Sequence, residues 1–231
     1  MSVLPLFYFH ALRETSASFI LDEETRRHVV TVLRMQPGES IMLTDGSGTS
    51  AEVSIEEADK KRLVVVRNQF VEHPAPKQKL ILGLSILKNA SRFEWMLEKI
   101  TEIGITEIYP VLSERTERQH FRHERLSQII VSASLQSGRF HFPKLHAPLK
   151  FQQIVDLELP TNRFIAHCME GEKPKLVAHK QDSIVLIGPE GDFTPAEVEL
   201  ALQHQFSSVS LGDTRLRSET AGVVAAALII P

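Results

Sequence analysis

The sequence predicts an α/β domain with a mostly parallel sheet, preceded by a smaller β-rich domain. Three observations predict it. Up to about residue 70, apolar positions alternate in short runs separated by turn residues, the pattern of half-buried strands. Residues 71–79, VEHPAPKQK, are polar and carry two prolines, as a linker does. Beyond them, strand-length apolar runs alternate with helical periodicity, the order that builds a parallel sheet covered by helices. The 231 residues suffice for one small and one medium domain. The boundary is set near residue 73, giving domains 1–72 and 73–231.

In the first domain the clearest strands are SIMLTD and RLVVVRNQF, with turn signals at Gln36-Pro37-Gly38 and Asp45-Gly46-Ser47-Gly48. One helix is expected ahead of them, over residues 22–35. In the second domain LILGLSIL (80–87) is continuously apolar, as a strand buried on both faces must be. A helix follows, because Phe93, Met96, Leu97, Ile100 and Ile103 recur at helical spacing; Ser91 to Glu94 reads as its capping box and Gly104 as its stop. The strand EIYPVL comes next, then a helix over 124–136 with Leu126, Ile129, Ile130 and Ala133 on one face. Further strands are RFIAHCM (163–169), SIVLIG (183–188) and SSVSLG (207–212). Thr194-Pro195-Ala196-Glu197 is a capping box with proline at the first helical position, and ETAGVVAAALII is a buried helix.

Composition excludes several classes. Hydrophobic residues make up 42% and charged residues 24%, an ordinary globular balance. No apolar run reaches the roughly 18 residues that span a bilayer. The start, MSVLPLFYFHALRE, lacks the basic and long apolar regions of a signal peptide, so the cytoplasm is expected. The lone Cys168 rules out an internal disulfide and reads as a small buried hydrophobe. His120, His123, His141 and His146 form no recognised metal-ligand spacing, so no metal is expected. Net charge is −3, yet residues 113–144 hold six Lys/Arg against three Glu. That stretch is either a phosphate-binding surface or a set of solvated helix faces.

Ligands of open α/β sheets sit beyond the carboxyl ends of the strands. Three segments take that position: the one from His167 to Gly171, Gly188-Pro189-Glu190-Gly191, and the one from Leu211 to Arg217. GPEG is either a tight turn or a loop that lets backbone approach a ligand. Neither GxxxxGK[ST] nor GxGxxG occurs, and Glu190 would repel a phosphate while suiting a cationic ligand. No serine lies in the GxSxG turn of hydrolases. Arg215 and Arg217 stand at the entry to an apolar helix, where the helix dipole disfavours cations. Capping by Ser218 or Thr220 does not account for them, so a site role is inferred.

Taken in order, RHVVTVLRMQPGESIMLTDGSG, RFEWMLEKITEIGITEIYPVLSERT, SLQSGRFHFP, LIGPEGDF and LGDTRLRSETA resemble the signatures of the RsmE family across the whole chain. The resemblance implies a PUA-like RNA-binding β-barrel followed by an α/β methyltransferase domain of the SPOUT superfamily with a C-terminal trefoil knot. It implies S-adenosyl-L-methionine as cofactor, 16S rRNA in the 30S subunit as partner, N3 of a uridine (the uridine 1498 type) as target, and a homodimer through the knotted domain. Mapped on this chain, it implies a cofactor pocket of His167, Gly188, Glu190, Gly191, Leu211, Gly212, Leu216 and Arg217. Asp192 stands where the family's GPEGG ends in glycine, and the usual RxLRxETA appears as RLRSETA.

The reaction then suggests that Arg217 stabilises the developing imidate charge while Glu219 or a water takes the proton. RNA capture is assigned to Arg26, Arg27 and Arg34, with Phe7 to His10, and to Arg115, Arg118, Arg122 and Arg139. Phe7 and Phe9 are equally compatible with core positions of a strand. A side chain at Gly188 or Gly191 is expected to block the cofactor. Competing readings are a 2′-O-ribose methyltransferase, a non-catalytic ribosome-assembly protein, and a small-molecule α/β enzyme.

Overall fold

The computed structural model describes residues 4–14, 16–117 and 121–230. The chain forms two compact units: one comprises residues 1–75 and 134–142, the other 76–133 and 143–231.

The first unit is a five-stranded sheet of β1 (Leu6–Tyr8), β2 (Ser18–Ile20), β3 (Ser40–Thr44), β4 (Thr49–Ala58) and β5 (Leu63–Glu72), in the order β1-β3-β4-β5-β2. The β1–β3 pair is parallel and the other pairs are antiparallel. Ala51, Val53 and Ile55 alternate inward along β4 and meet Ile41, Leu43, Leu63 and Val65 in one core. Phe7 belongs to that core and Phe9 packs on it, which settles both as structural; Tyr8 between them is 37% exposed. The single helix expected over 22–35 is instead a short α1 (Glu23–Arg27) running into a π turn at His28–Val32. Asp22 caps α1 through the Thr25 amide at 2.8 Å. The β-branched run Val29-Val30-Thr31-Val32 weakens α-helix continuation, and Arg34 leaves the turn in the left-handed region at φ 57°. Residues 140–142 return to the Asp45–Gly48 turn: the Gly48 amide donates to the Phe140 carbonyl and the Phe142 amide to that of Gly46, both at 2.8 Å. Gly46 and Gly48 have positive φ, and a Cβ on either would collide with the rings of Phe142 or His141.

The second unit is built on β6 (Leu80–Ser85), β7 (Glu107–Leu112), β8 (Lys144–Leu145), β9 (Leu149–Lys150), β10 (Asn162–Ala166), β11 (Ser183–Ile187) and β12 (Ser207–Val209). They form a parallel sheet in the order β12-β10-β11-β6-β7-β8, with β9 also on β7. Every residue of β6 and β11 is buried, as their apolar runs require. Leu80, Leu82, Leu84, Val185 and Ile187 point to one face, packed by α2 (Ala90–Ile103), α3 (His123–Gln136) and α6 (Ser218–Ile229). Ile81, Ile184 and Leu186 point to the other, packed by α4 (Phe151–Val155) and α5 (Pro195–Gln203).

Gly104 ends α2 at φ 123° and Thr194 caps α5 with Glu197 in the reciprocal box, both as the sequence predicts. The cap of α2 differs. Asn89, not Ser91, takes it, its Oδ1 accepting from the amides of Ser91 and Arg92 at 2.9 and 3.3 Å. Helices α2 and α6 approach closely because Gly222 has no side chain; a Cβ there would meet Met96 Sδ. Among the described residues no helix is long and apolar enough to cross a membrane, and no group of three His, Cys, Asp or Glu is placed to hold a metal.

Candidate active site

Three neighbouring parallel strands, β12, β10 and β11, end side by side at Val209, Ala166 and Ile187. The loops that leave them, with the N-terminus of α6 and the first turn of α2, enclose a cavity of about 690 Å³. A volume of that order suits a small molecule or cofactor. His167, Gly188, Glu190, Leu211, Gly212, Leu216, Arg217 and Glu219 all line it. Gly191 does not; its carbonyl accepts from Arg115 Nη1 at 2.7 Å, and a Cβ on it would meet the Arg115 side chain at 3.3 Å.

The β11 loop is held from several sides. Asp192 sits at φ 63°, a left-handed conformation that glycine adopts freely and aspartate tolerates. Its carboxylate accepts the Cys168 amide at 2.7 Å and its neighbour Phe193's amide at 2.8 Å, tying the β10 loop to the β11 loop. Glu190 accepts the Lys88 amide at 3.2 Å, so a backbone group already engages the carboxylate. A Cβ on Gly188 would lie 3.1 Å from the Phe193 nitrogen, pressing on the turn itself. Cys168 is exposed on the cavity wall rather than buried, because β10 ends at Ala166 and leaves it in the loop.

His167 Nε2 bonds Ser208 Oγ at 2.9 Å, while its Nδ1 is buried with no partner among the described residues. Burial pushes the imidazole below its ordinary value near 6.5; Lys173 adds to the effect and Asp192 opposes it. The ring is therefore neutral at pH 7. In the β12 loop Gly212 takes φ 151°, which L side chains rarely adopt, with no atom within 4 Å of the Cβ position. Arg217 is the N-cap residue of α6 and its side chain makes no capping bond; neither Ser218 nor Thr220 is the cap. Glu219, in the first turn, is buried, and its Oε1 lies 3.6 Å from Arg92 Nε.

The arginines assigned to RNA are spread over both units. Arg26 is committed to the fold, donating to the Lys60 carbonyl at 2.5 Å and pairing with Glu23. Arg27 and Arg34 are exposed. Arg139 lies in the first unit and is partly buried. Arg122 is exposed in the second unit, Arg115 is tied to Gly191, and Arg118 lies outside the described residues. Sequence reasoning missed Arg92, Lys173 and Asp192 as lining residues. Arg92 carried a usable signal: an arginine in the first turn of a helix opposes the dipole, as at Arg215 and Arg217.

The chain, with its small β-rich unit and its parallel α/β unit whose three adjacent strand ends wall a cavity, matches known proteins over nearly its whole length. A family model described as the RNA methyltransferase domain matches residues 73–230, and one described as the RNA methyltransferase PUA domain matches residues 21–66. The class is thus that of PUA-bearing RNA methyltransferases. Within it, the chain belongs to the ribosomal RNA small subunit methyltransferase E family. A member from Synechocystis sp. is 31% identical over 92% of this chain and 73% of its own. The crystal structure of a probable rRNA-methyltransferase from Porphyromonas gingivalis is 38% identical, with a TM-score of 0.89 over 96% of this chain and 95% of its own. A ribosomal RNA small subunit methyltransferase E from Neisseria gonorrhoeae bound to S-adenosyl methionine is 30% identical, with a TM-score of 0.85 over 97% and 95%.

Proposed function

We propose that the protein transfers a methyl group from S-adenosyl-L-methionine to N3 of a uridine of the 1498 type in 16S rRNA of the small ribosomal subunit. The observation that carries the reading is the convergence of three parallel strand ends and an arginine-flanked helix N-terminus on one cavity. The residues fit the donor. The cavity has the size of a cofactor site, Leu211 and Leu216 offer apolar walls for a ring, and the neutral His167 spares a sulfonium a charged neighbour. Gly188 and Gly212 bring backbone rather than side chain to the wall.

When bound, the donor supplies an electrophilic methyl carbon on a sulfonium. The chain's own residues do the rest. Holding donor and acceptor in line contributes most, since positioning alone supplies up to roughly 7–11 kcal/mol. Uridine N3 is a weak imide acid and becomes a nucleophile only after losing its proton. Glu219 accepts that proton and Arg217 stabilises the charge left on the imide. The domains divide the work: residues 1–72, with Arg27 and Arg34 exposed, grip RNA, and residues 73–231 carry the chemistry. In this reading the α/β unit carries the family's C-terminal trefoil knot. The same reading includes a homodimer through this domain. With ribosomal RNA as its substrate, the protein would act in the cytoplasm.

The test is incubation with labelled donor and 30S subunits lacking the mark, followed by mass spectrometry of the modified nucleotide. Label on N3 of one uridine is expected. Label on a ribose would convert the reading to a 2′-O-methyltransferase, and no label in ribosomal RNA would end it.

A further inference from the structure

We infer that Arg92 is a positioning residue of this site: it fixes one oxygen of Glu219 and leaves the other as the acceptor for the imide N–H of the substrate base. The inference rests on the reading of Glu219 as the proton acceptor. Arg92 is the third residue of α2 and Glu219 the second of α6, and both line the cavity. One helical turn further along each, Met96 packs over Gly222, where no Cβ fits. That close approach of the two helices carries the Arg92 guanidinium to 3.6 Å from Glu219 Oε1.

The other oxygen, Oε2, is buried and has no hydrogen-bond partner among the described residues, although the Glu219 side chain is only 10% exposed. A carboxylate oxygen removed from water without a donor is unfavourable. An arginine in the first turn of α2 is also opposed by the helix dipole. Glu219 lines the cavity, so a small turn of its carboxylate brings Oε2 to a ligand N–H, which accounts for both local costs. An imide N–H of the substrate base fits this oxygen, because it brings a proton that the carboxylate can take. On transfer the N3 proton moves to Oε2 and the electron pair of the N–H bond stays on the imide. The negative charge thus passes from the carboxylate to the base within reach of the same guanidinium.

The experiment uses the full chain, labelled donor and 30S subunits lacking the mark, with donor affinity measured by calorimetry. Arg92→Met is expected to lower kcat by about tenfold to a hundredfold, with KM for the subunit and Kd for the donor within about twofold. Arg92→Lys, which keeps the charge, should restore kcat to within about tenfold of wild type. Arg92→Met placed on Glu219→Gln should cost little beyond Glu219→Gln alone, because the two act as a unit. Arg92→Gln gives the same reading should Arg92→Met fail to fold. Wild-type kcat in Arg92→Met, with or without a lowered Tm, would reduce the pair to a helix tie and overturn the inference. So would a raised donor Kd, or a raised subunit KM, at unchanged kcat. An active Glu219→Gln would instead sink the underlying base assignment, whatever Arg92 does.

Discussion

The two loops that face each other across the cavity are built differently. The β11 loop is fixed before any ligand arrives: Asp192 holds two amides, Glu190 takes the Lys88 amide, and the Gly191 carbonyl is gripped by Arg115. The β12 loop is held at its start, where the Ser210 hydroxyl bonds both the amide and the carbonyl of Gly212. Beyond that, residues 212–215 are exposed and Asp213 has an ion pair with exposed Lys175, of a kind that contributes little. One wall is thus preorganised, and the other depends on the backbone conformation of a single glycine. Preorganisation lowers the ordering cost of binding, so substitutions should act on the first wall through the fold and on the second through affinity.

The largest effect is expected at Gly188. A β-branched side chain in Gly188→Val has to displace the Phe193 backbone, and overpacking of this kind costs about 1–3 kcal/mol. Donor affinity by calorimetry should fall by roughly a hundredfold and Tm should fall with it. Unchanged Tm would show that the first wall is not built into the fold.

Asp192→Ala comes next. It removes the acceptor for two amides and leaves alanine at φ 63°, a loss of about 2 kcal/mol from strain and unpaired backbone together. Donor affinity should drop roughly thirtyfold and Tm by about 4–8 °C. Asp192→Asn keeps an acceptor and tolerates the conformation, so it should lose less than half as much. Asp192→Gly sharpens the point: it relieves the backbone and removes the clamp, so any remaining loss measures the clamp alone.

Gly212→Ala should separate the two walls. No atom lies within 4 Å of the added carbon, so the cost is conformational only, about 1 kcal/mol in a loop with few other restraints. The expected result is a five- to tenfold loss of donor affinity with Tm within a degree of wild type. A matching fall in Tm would place this loop in the same cooperative unit as its counterpart.

This difference also governs what the sequence could reveal. Gly104 and the Thr194–Glu197 box were legible because a cap is a local event between residues three apart. The strand ends and glycine loops were legible because a buried strand running into glycines leaves a pattern within ten residues. The helix over 22–35 failed where β-branched residues met a non-glycine left-handed turn at Arg34. The ligand-facing role of Arg92, the return of residues 140–142 to Gly46 and Gly48, and the Asp192 clamp on Cys168 are all pairings of distant residues. Nothing in local spacing encodes them. The two-residue strands β8 and β9 are shorter than any periodicity can register.

The smallest effect concerns His167, which stands on the β10 loop between the two walls. Its folded pKa lies below the unfolded value because burial disfavours the imidazolium; Lys173 reinforces this, and Asp192 only partly offsets it. Below about pH 6.5 the unfolded chain binds a proton that the folded chain still refuses, so the neutral ring's contribution is complete above that pH and is lost as pH falls through the folded pKa. Stability and donor affinity should therefore both decline on acidification, affinity more steeply because an imidazolium would then face a sulfonium. His167→Gln, which keeps a bond to Ser208 without titrating, should flatten the difference between the pH dependences of the two. A mutant with the wild-type profile would assign the decline to other groups and leave His167 as a neutral spacer between the loops.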